Sequence, residues 1–384
     1  MEQVIRIGMD TSKRVFQVHG VEAGERPVLR RQLRRDAMVL FFAKHPPVVV
    51  AIEACGSAHH WARVLGAMGH EVRLIAPQLA KPYVKRGKND AADAEALCEA
   101  ASRPTMRFVP HKTAGQQAAL LLASERGRLV RARTQLVNAI RGHAAEFGLV
   151  EAKGVGRAGA LLGAVAADAG VPAMAREVFA GLAEELAGLE LRLAAADAKL
   201  QAWHRGSEVS RRLLAVPGIG PVGASLLAMK VPDPGAFKSG RDFAAWLGLT
   251  PRDHSTAGKA RPGGITRAGD EALRSVLVVG ATAVIRQVRT PAPPKPGQPK
   301  PGQPEPGQAQ TGKGHAGKRQ AAAAPLSAGG LRPWLARLLE RKPPKLAAVA
   351  LANKMARIAW KLMATGGTYD PGHGQPGAAA PAAA

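Results

Sequence analysis

Four acidic residues stand out by type and placement: Asp10, Glu53, Asp90 and Asp93. Asp10 closes the apolar run VIRIGMD, Glu53 lies at the end of PVVVAIEA, and Asp90 and Asp93 open the run DAADAEALCEAA. Unpaired charge is costly in or beside apolar elements. A shared divalent cation would neutralise the cluster, and all-oxygen ligands favour Mg²⁺ or Mn²⁺ over Zn²⁺. Two such ions a few ångströms apart can activate a nucleophile and steady a leaving oxygen in phosphoryl transfer. Taken singly, each residue has an ordinary explanation. Asp10 could end a strand in a turn, Asp90 could be a helix N-cap, and Glu53 and Asp93 could be solvated charges. The catalytic reading depends on all four converging.

A second constellation is a hydroxyl-bearing loop, HSTAGKARPGG, at 254–264. Its glycines let backbone approach a phosphate closely. Lys259, Arg261 and Arg267 supply positive charge beside Ser255 and Thr256. A serine there could attack a scissile phosphate and hold a DNA end covalently. Alone, such hydroxyls more often just form turns. The stretch LLAVPGIGPVGASLLAM, 213–229, reads as helix, tight turn and helix. Amides at Gly218 and Gly220 would suit a phosphate, which is the helix-hairpin-helix pattern; a packing corner is the plain alternative. His59 and His60 open a helix and read as surface residues rather than metal ligands.

The elements that must position the carboxylates alternate along 1–110. VIRIGMD is a buried strand. RVFQVHGV is a second, with Val15, Gln17 and His19 opposite Phe16 and Val18, and PVLRRQLRR a third. DAMVLFFAKH is helical, with Asp36 expected as its N-cap. PVVVAIEA is a strand covered on both faces. SAHHWARVLGAMGH is a helix ending near Gly69, EVRLIAP a fifth strand, and KNDAADAEALCEAA a helix. The order β-β-β-α-β-α-β-α is the ribonuclease H topology. There the first and fourth strands are neighbours and the last helix crosses them, which brings the four carboxylates together. A doubly wound nucleotide-binding fold would start β-α-β with a glycine-rich first turn, and none follows Asp10.

Residues 111–206 read as a helical, coiled-coil linker. Leu122, Leu129 and Leu136 recur every seven residues. Phe179, Leu182, Leu186, Leu189, Leu193, Ala196 and Leu200 alternate spacings of three and four, as in an a/d seam. The seam fits a dimer or an intramolecular hairpin equally. Residues 207–290 form a compact α-rich domain. The repeated Pro-Gly-Gln units of 291–328 cannot pack a core and read as a disordered, dispensable spacer. Helical periodicity resumes over 329–370, and 371–384 reads as a disordered tail.

Composition bounds the function. The apolar fraction of 46% allows a sizeable core. The net charge of +25 points to a polyanion, nucleic acid above all. No stretch reaches about 18 uncharged apolar residues, so no membrane partner is expected. Cys55 and Cys98 are too few for a disulfide framework, and a cytoplasmic location fits. Aromatics at 4% argue against a single-strand binder built on stacking platforms.

The runs IGMDTSK, AIEACG, KNDAADAEAL, VPGIGP and WLGLTPRDHSTAGKARPGGITRAGDEALR resemble, in that order, the DEDD-type insertion-sequence transposases. These are bridge-RNA-guided recombinases, and related site-specific DNA invertases belong with them. The resemblance covers 1–290 and resumes at PWLARLLERKPPKLAAVALANKMARIAW. It implies a resolvase-like (RuvC-like) N-terminal domain, a coiled-coil linker and a C-terminal transposase domain. It implies Asp10, Glu53, Asp90 and Asp93 as catalytic metal ligands and a nucleophilic serine that forms a phosphoserine intermediate. It further implies donor and target DNA, a noncoding guide RNA, and a homo-oligomer, dimer or tetramer, with a composite site. The chain departs from the family pattern at the loop. The family places Ser directly before Gly, whereas here the run is Ser255-Thr256-Ala257-Gly258, so either hydroxyl could align. Ser255 is preferred because a primary hydroxyl is less hindered. The Pro-Gly-Gln insertion is a second departure.

Two other readings share parts of this evidence. A structure-specific, metal-dependent nuclease would need the carboxylates but no loop hydroxyl. A non-catalytic binder would need neither. If about six phosphates are neutralised on binding, DNA affinity should fall by roughly 10³-fold between about 50 and about 200 mM salt. A polarisation titration measures this, and a flat response contradicts it.

Overall fold

A computed structural model describes residues 3–85, 89–256, 258–259, 261–289 and 331–371. The chain divides into two compact units, Met1–Ala119 and Leu120–Ala384. The spacer expected over 291–328 and the tail over 371–384 lie outside the described residues, Pro371 apart.

The first unit contains β1 (Arg6–Thr11), β2 (Val15–Val21), β3 (Pro27–Arg34), α1 (Met38–Ala43), β4 (Val49–Glu53), α2 (Ala58–Ala67), β5 (Glu71–Ile75), α3 (Pro77–Ala80), α4 (Asp90–Ala100) and β6 (Phe108–Val109). The sheet order is β3-β2-β1-β4-β5-β6. β1 and β2 are antiparallel, as are β2 and β3, while β1 pairs β4 in parallel and β4 pairs β5 in parallel. This is the ribonuclease-H-like arrangement, with the first and fourth strands adjacent. β6 adds an antiparallel edge to β5; two residues are too short to show a strand period. Asp36 does not cap α1. A 3₁₀ turn, Arg35–Ala37, comes first, and neither helix start has a side-chain cap.

Strand alternation sends side chains to two different cores. Ile7, Met9, Val50 and Ile52 pack with Phe42, Trp61 and Leu65 of α1 and α2. The opposite face of β4 presents Ala51, which clusters with Leu97 and Ala100 of α4. Asp10 is two residues from Gly8, and Glu53 two from Ala51, so both carboxylates share the α4 face. Gly8 faces Ala51 across the β1–β4 pair. A Cβ on Gly8 would lie 2.0 Å from the Ala94 carbonyl oxygen and 2.5 Å from the Cys98 amide nitrogen. The bare glycine is what lets α4 lie against β1. Arg6 fastens the same contact, donating from Nε to the Cys98 carbonyl at 2.8 Å.

The second unit holds α5 (Ala114–Ala145, whose first residues belong to the first unit), α6 (Ala158–Ala167) and α7 (Ala173–Gly206). Leu129, Leu136 and Ile140 of α5 share one core with Phe179, Leu186, Leu189 and Leu193 of α7. Ion pairs Arg126–Asp197 and Glu125–Arg192 bridge the same two helices. The apolar seam is thus covered within one chain. Then follow α8 (Glu208–Leu213), α9 (Pro221–Lys230), α10 (Gly240–Trp246), β7 (Pro251–Asp253), β8 (Pro262–Ile265), α11 (Glu271–Arg289), α12 (Leu331–Arg341) and α13 (Pro344–Thr365). Their core gathers Phe243, Leu277, Leu335, Leu351 and Met355. The segment 207–290 is not purely helical, because β7 and β8 form an antiparallel pair. Prolines and glycines in strands this short hide the pattern from sequence.

Gly8→Ala tests the close approach. Overpacking there should cost about 1–3 kcal/mol. Gly66, on α2 with open space around its Cβ position, provides the control. Gly66→Ala should be neutral or stabilising by about 0.5–1 kcal/mol. Urea unfolding of both variants checks the sign, and equal effects would refute the packing argument.

Candidate active site

The four carboxylates are placed by three elements. Asp10 ends the α4-facing side of β1, and Glu53 ends β4. Asn89 caps α4, its side chain accepting from the Ala91 and Ala92 amides at 2.8 and 3.0 Å. Asp90 is therefore not the N-cap, and it and Asp93 occupy the first turn, where the helix dipole favours negative charge. Carboxylate oxygens of Asp10, Asp90 and Asp93 all lie within 4.8 Å of one another. Glu53 falls outside that tight group but borders it. Burial and the nearby Asp93 both raise its pKa. Burial pushes Asp10 up to about 6, and Asp90, Asp93 and Glu53 add to the rise, against a lowering hydrogen bond from the Thr11 backbone. Among the described residues none of the four forms an ion pair. An oxygen-only set, with Asp10 and Asp93 half-buried, Asp90 exposed and no ion-pair partner among the described residues, is one that a hard divalent cation fits.

The serine loop joins β7 to β8 in the second unit. Asp253 accepts from the Ser255 amide at 2.8 Å. The Ser255 Oγ accepts from the Arg261 amide at 3.0 Å. A side-chain hydrogen bond with Ser255 is also the first cause that holds the Asp253 carboxyl below its ordinary range. Thr256 pairs with Lys259 in a single bridge across the loop tip. Ser255, Thr256, Lys259, Arg261 and Arg267 are all exposed. Arg267 holds a positive φ of 56° while its amide donates to the Gly248 carbonyl at 3.2 Å.

The turn between α8 and α9 is partly a packing corner. Gly218 has φ +87°, and its carbonyl oxygen would lie 1.9 Å from a Cβ on Gly280 of α11. Gly220 is exposed and is the N-cap residue of α9.

A DEDD transposase family model of the IS110 group matches residues 7–147, and one described as the transposase IS116/IS110/IS902 family matches 210–294. The Sinorhizobium fredii chain y4pF/y4sB is 59% identical over 98% of this chain and 88% of its own length. The transposase for insertion sequence element IS1328 of Yersinia enterocolitica is 34% identical over 96% and 99%. The transposase for insertion sequence element IS1111A of Coxiella burnetii is 35% identical over 96% and 92%. The chain belongs to the IS110 family of insertion-sequence transposases.

As an enzyme of this family, the transposase cuts and rejoins DNA, and the family implies use of a divalent metal. The first match spans all four carboxylates and the second spans the serine loop. No helix among the described residues is long and apolar enough to cross a membrane. Sequence reasoning missed three residues of these sites. Gly8 offers no signal beyond a glycine inside a strand. Asn89 was masked by the two aspartates after it. Asp253 sits two residues before Ser255, a spacing typical of an Asx turn. His59 is half-buried against Lys112, whose Nζ lies 2.8 Å from its Nε2. Burial and that cation push its pKa down to about 4, which suits a structural role.

Asp10 titrates at about 6 in the folded transposase against 3.8 unperturbed. The folded state therefore holds the proton more tightly, and the metal-free protein should lose stability as pH rises between those values. In chelator at pH 7.5, Asp10→Asn should melt higher than the parent, and the gap should close toward pH 4. Mg²⁺ should raise the melting temperature of the parent and not of the variant, by linkage. Thermal melts across pH check both; a variant less stable than the parent at pH 7.5 in chelator would contradict the repulsion.

Proposed function

We propose that this transposase breaks DNA with Ser255 as the nucleophile and Asp10, Glu53, Asp90 and Asp93 as the metal-binding acids. The observation that carries the reading is the approach of Asp10, Asp90 and Asp93 within 4.8 Å. Mg²⁺ or Mn²⁺ held there would polarise a scissile phosphate and offset charge building on it. The chain's own residues supply the rest. Asp253 holds the Ser255 hydroxyl and takes its proton. The Ser255 Oγ–phosphorus bond forms as the phosphorus–deoxyribose oxygen bond breaks, and the leaving oxygen takes a proton from water. The serine ester keeps the bond energy needed for rejoining, which runs the same steps backwards. Lys259, Arg261 and Arg267 steady the phosphate charge.

The finer assignments follow the same reading. Residues 1–110 act as a RuvC-like nuclease domain, 111–206 as a coiled-coil linker, and 207–290 with 329–370 as the transposase domain. The turn at Gly218 and Gly220 serves as a helix-hairpin-helix contact to a phosphate through its exposed side. A noncoding guide RNA pairs with donor and target DNA, and carboxylates of one protomer work with the serine of another in a cytoplasmic homo-oligomer. A hydrolytic nuclease is the alternative, and a site-specific invertase would use the same chemistry.

Ser255→Ala should eliminate the covalent protein–DNA adduct on denaturing gels, and Thr256→Ala should only reduce it. Asp253→Asn should lower adduct formation by about 10²-fold or more and shift its pH dependence, as loss of a general base does. An adduct that survives Ser255→Ala and vanishes with Thr256→Ala assigns the role to Thr256. Cleavage without any adduct supports the nuclease.

A further inference from the structure

A groove of about 1360 Å³ opens in the second unit, between α10, α12, α13 and the β7–β8 pair. It exceeds the roughly 300–1,000 Å³ of small-molecule sites, so an extended ligand fits it better. Four cations border it, Arg241, Lys354, Arg357 and Lys361, against one acid, Asp370, among the described residues. Trp334, Trp360 and Tyr369 also border it, three of a chain total of five Trp and two Tyr. Three of the seven Trp and Tyr thus border one cationic surface, half-buried against the core beneath it. Lys354 carries its ammonium 4.5 Å from the Trp334 ring centroid. Burial, then the charge of Arg357, lowers its pKa, so an anion here would relieve both cations. The walls are anchored: Trp360 donates from Nε1 to the Pro234 carbonyl at 3.0 Å, and Asn353 from Nδ2 to the Leu249 carbonyl at 3.2 Å.

We propose that this groove binds a single-stranded stretch of DNA and leads it to the serine loop. The proposal rests on the reading of that loop as the cutting site. Aromatic faces accept unpaired bases whatever their sequence, and cations follow the backbone. A duplex hides its base faces and would leave the apolar part of the groove unused. Gly263 and Gly264 of β8 border the groove without side chains, and a Cβ on Gly264 would meet nothing within 4 Å. β8 pairs with β7, which ends at Asp253, two residues before Ser255. A strand leaving the groove over these glycines would pass onto the hairpin whose loop carries Ser255.

The test uses the full chain, a single-stranded oligonucleotide carrying 5-iodouracil, and a duplex of the same length. Photocross-linking and mass spectrometry should place the single-strand adduct on Trp334 or Tyr369. Lys354→Gln with Arg357→Gln should weaken single-strand binding by about 10-fold or more while duplex binding changes little. Arg241→Gln, at an exposed position, should weaken it in the same direction and serves if the double variant fails to fold. Cross-links confined to other surfaces, or equal losses for duplex and single strand, overturn the proposal. So does preferential cross-linking of a single-stranded RNA of the same sequence. Variants that dissociate an oligomer but keep DNA affinity would instead make the groove a protein interface. Ser255→Ala separates the two readings: it should bind the single strand as the parent does. If it still forms the covalent adduct, the proposed chemistry fails while the groove result stands.

Discussion

Like charges at Asp10, Asp90, Asp93 and Glu53 repel one another, and most of the first unit can be understood as what holds them together regardless. The parallel β1–β4 pair sets the ends of two strands side by side. α4 then presses onto β1 where Gly8 has no side chain to stop it. Neither contact involves the carboxylates themselves. The repulsion is overcome by packing elsewhere, by Ile7 and Met9 on one face and Leu97 and Ala100 on the other. The pKa of Asp10, raised first by burial and then by its acidic neighbours, records the cost that remains. A site built this way has a strong appetite for a cation, because binding removes a cost the fold already carries.

Much of this was legible in the sequence, for definite reasons. Apolar alternation in VFQVHGV and the β-branched run before Glu53 carry the strand period, and the element order fixes which strands become neighbours. Local start signals were less dependable. Asp36 looks like a cap, yet a 3₁₀ turn intervenes. Asp90 has a cap's composition, yet Asn89 does the capping. Acidic residues near a helix start satisfy the dipole from several positions, so composition alone cannot say which one bonds the backbone.

The second unit was harder to read because its decisive contacts join distant residues. Gly218 and Gly280 touch backbone to backbone across some sixty positions, and no local pattern announces such a pair. The turn at Gly218 looks like an open phosphate cradle in sequence and is packed on one side in the structure. The heptad leucines were equally ambiguous, since an a/d seam does not state which helix covers it. Here α5 and α7 cover each other. The β7–β8 pair left no periodic trace, and with it went the relation of Asp253 to Ser255.

The choice of Asn at 89 follows from the same electrostatics. Asn and Asp cap helices about equally well, so capping alone does not select between them. An aspartate at that position would add a fifth negative charge one residue from Asp90 and raise the repulsion the fold must already hold. The amide satisfies the Ala91 and Ala92 donors without doing so. It leaves Asp90 and Asp93 without capping duty, free to face Asp10. In a chain of net charge +25, the surface as a whole stays attractive to DNA, while the cluster carries no more negative charge than its four carboxylates.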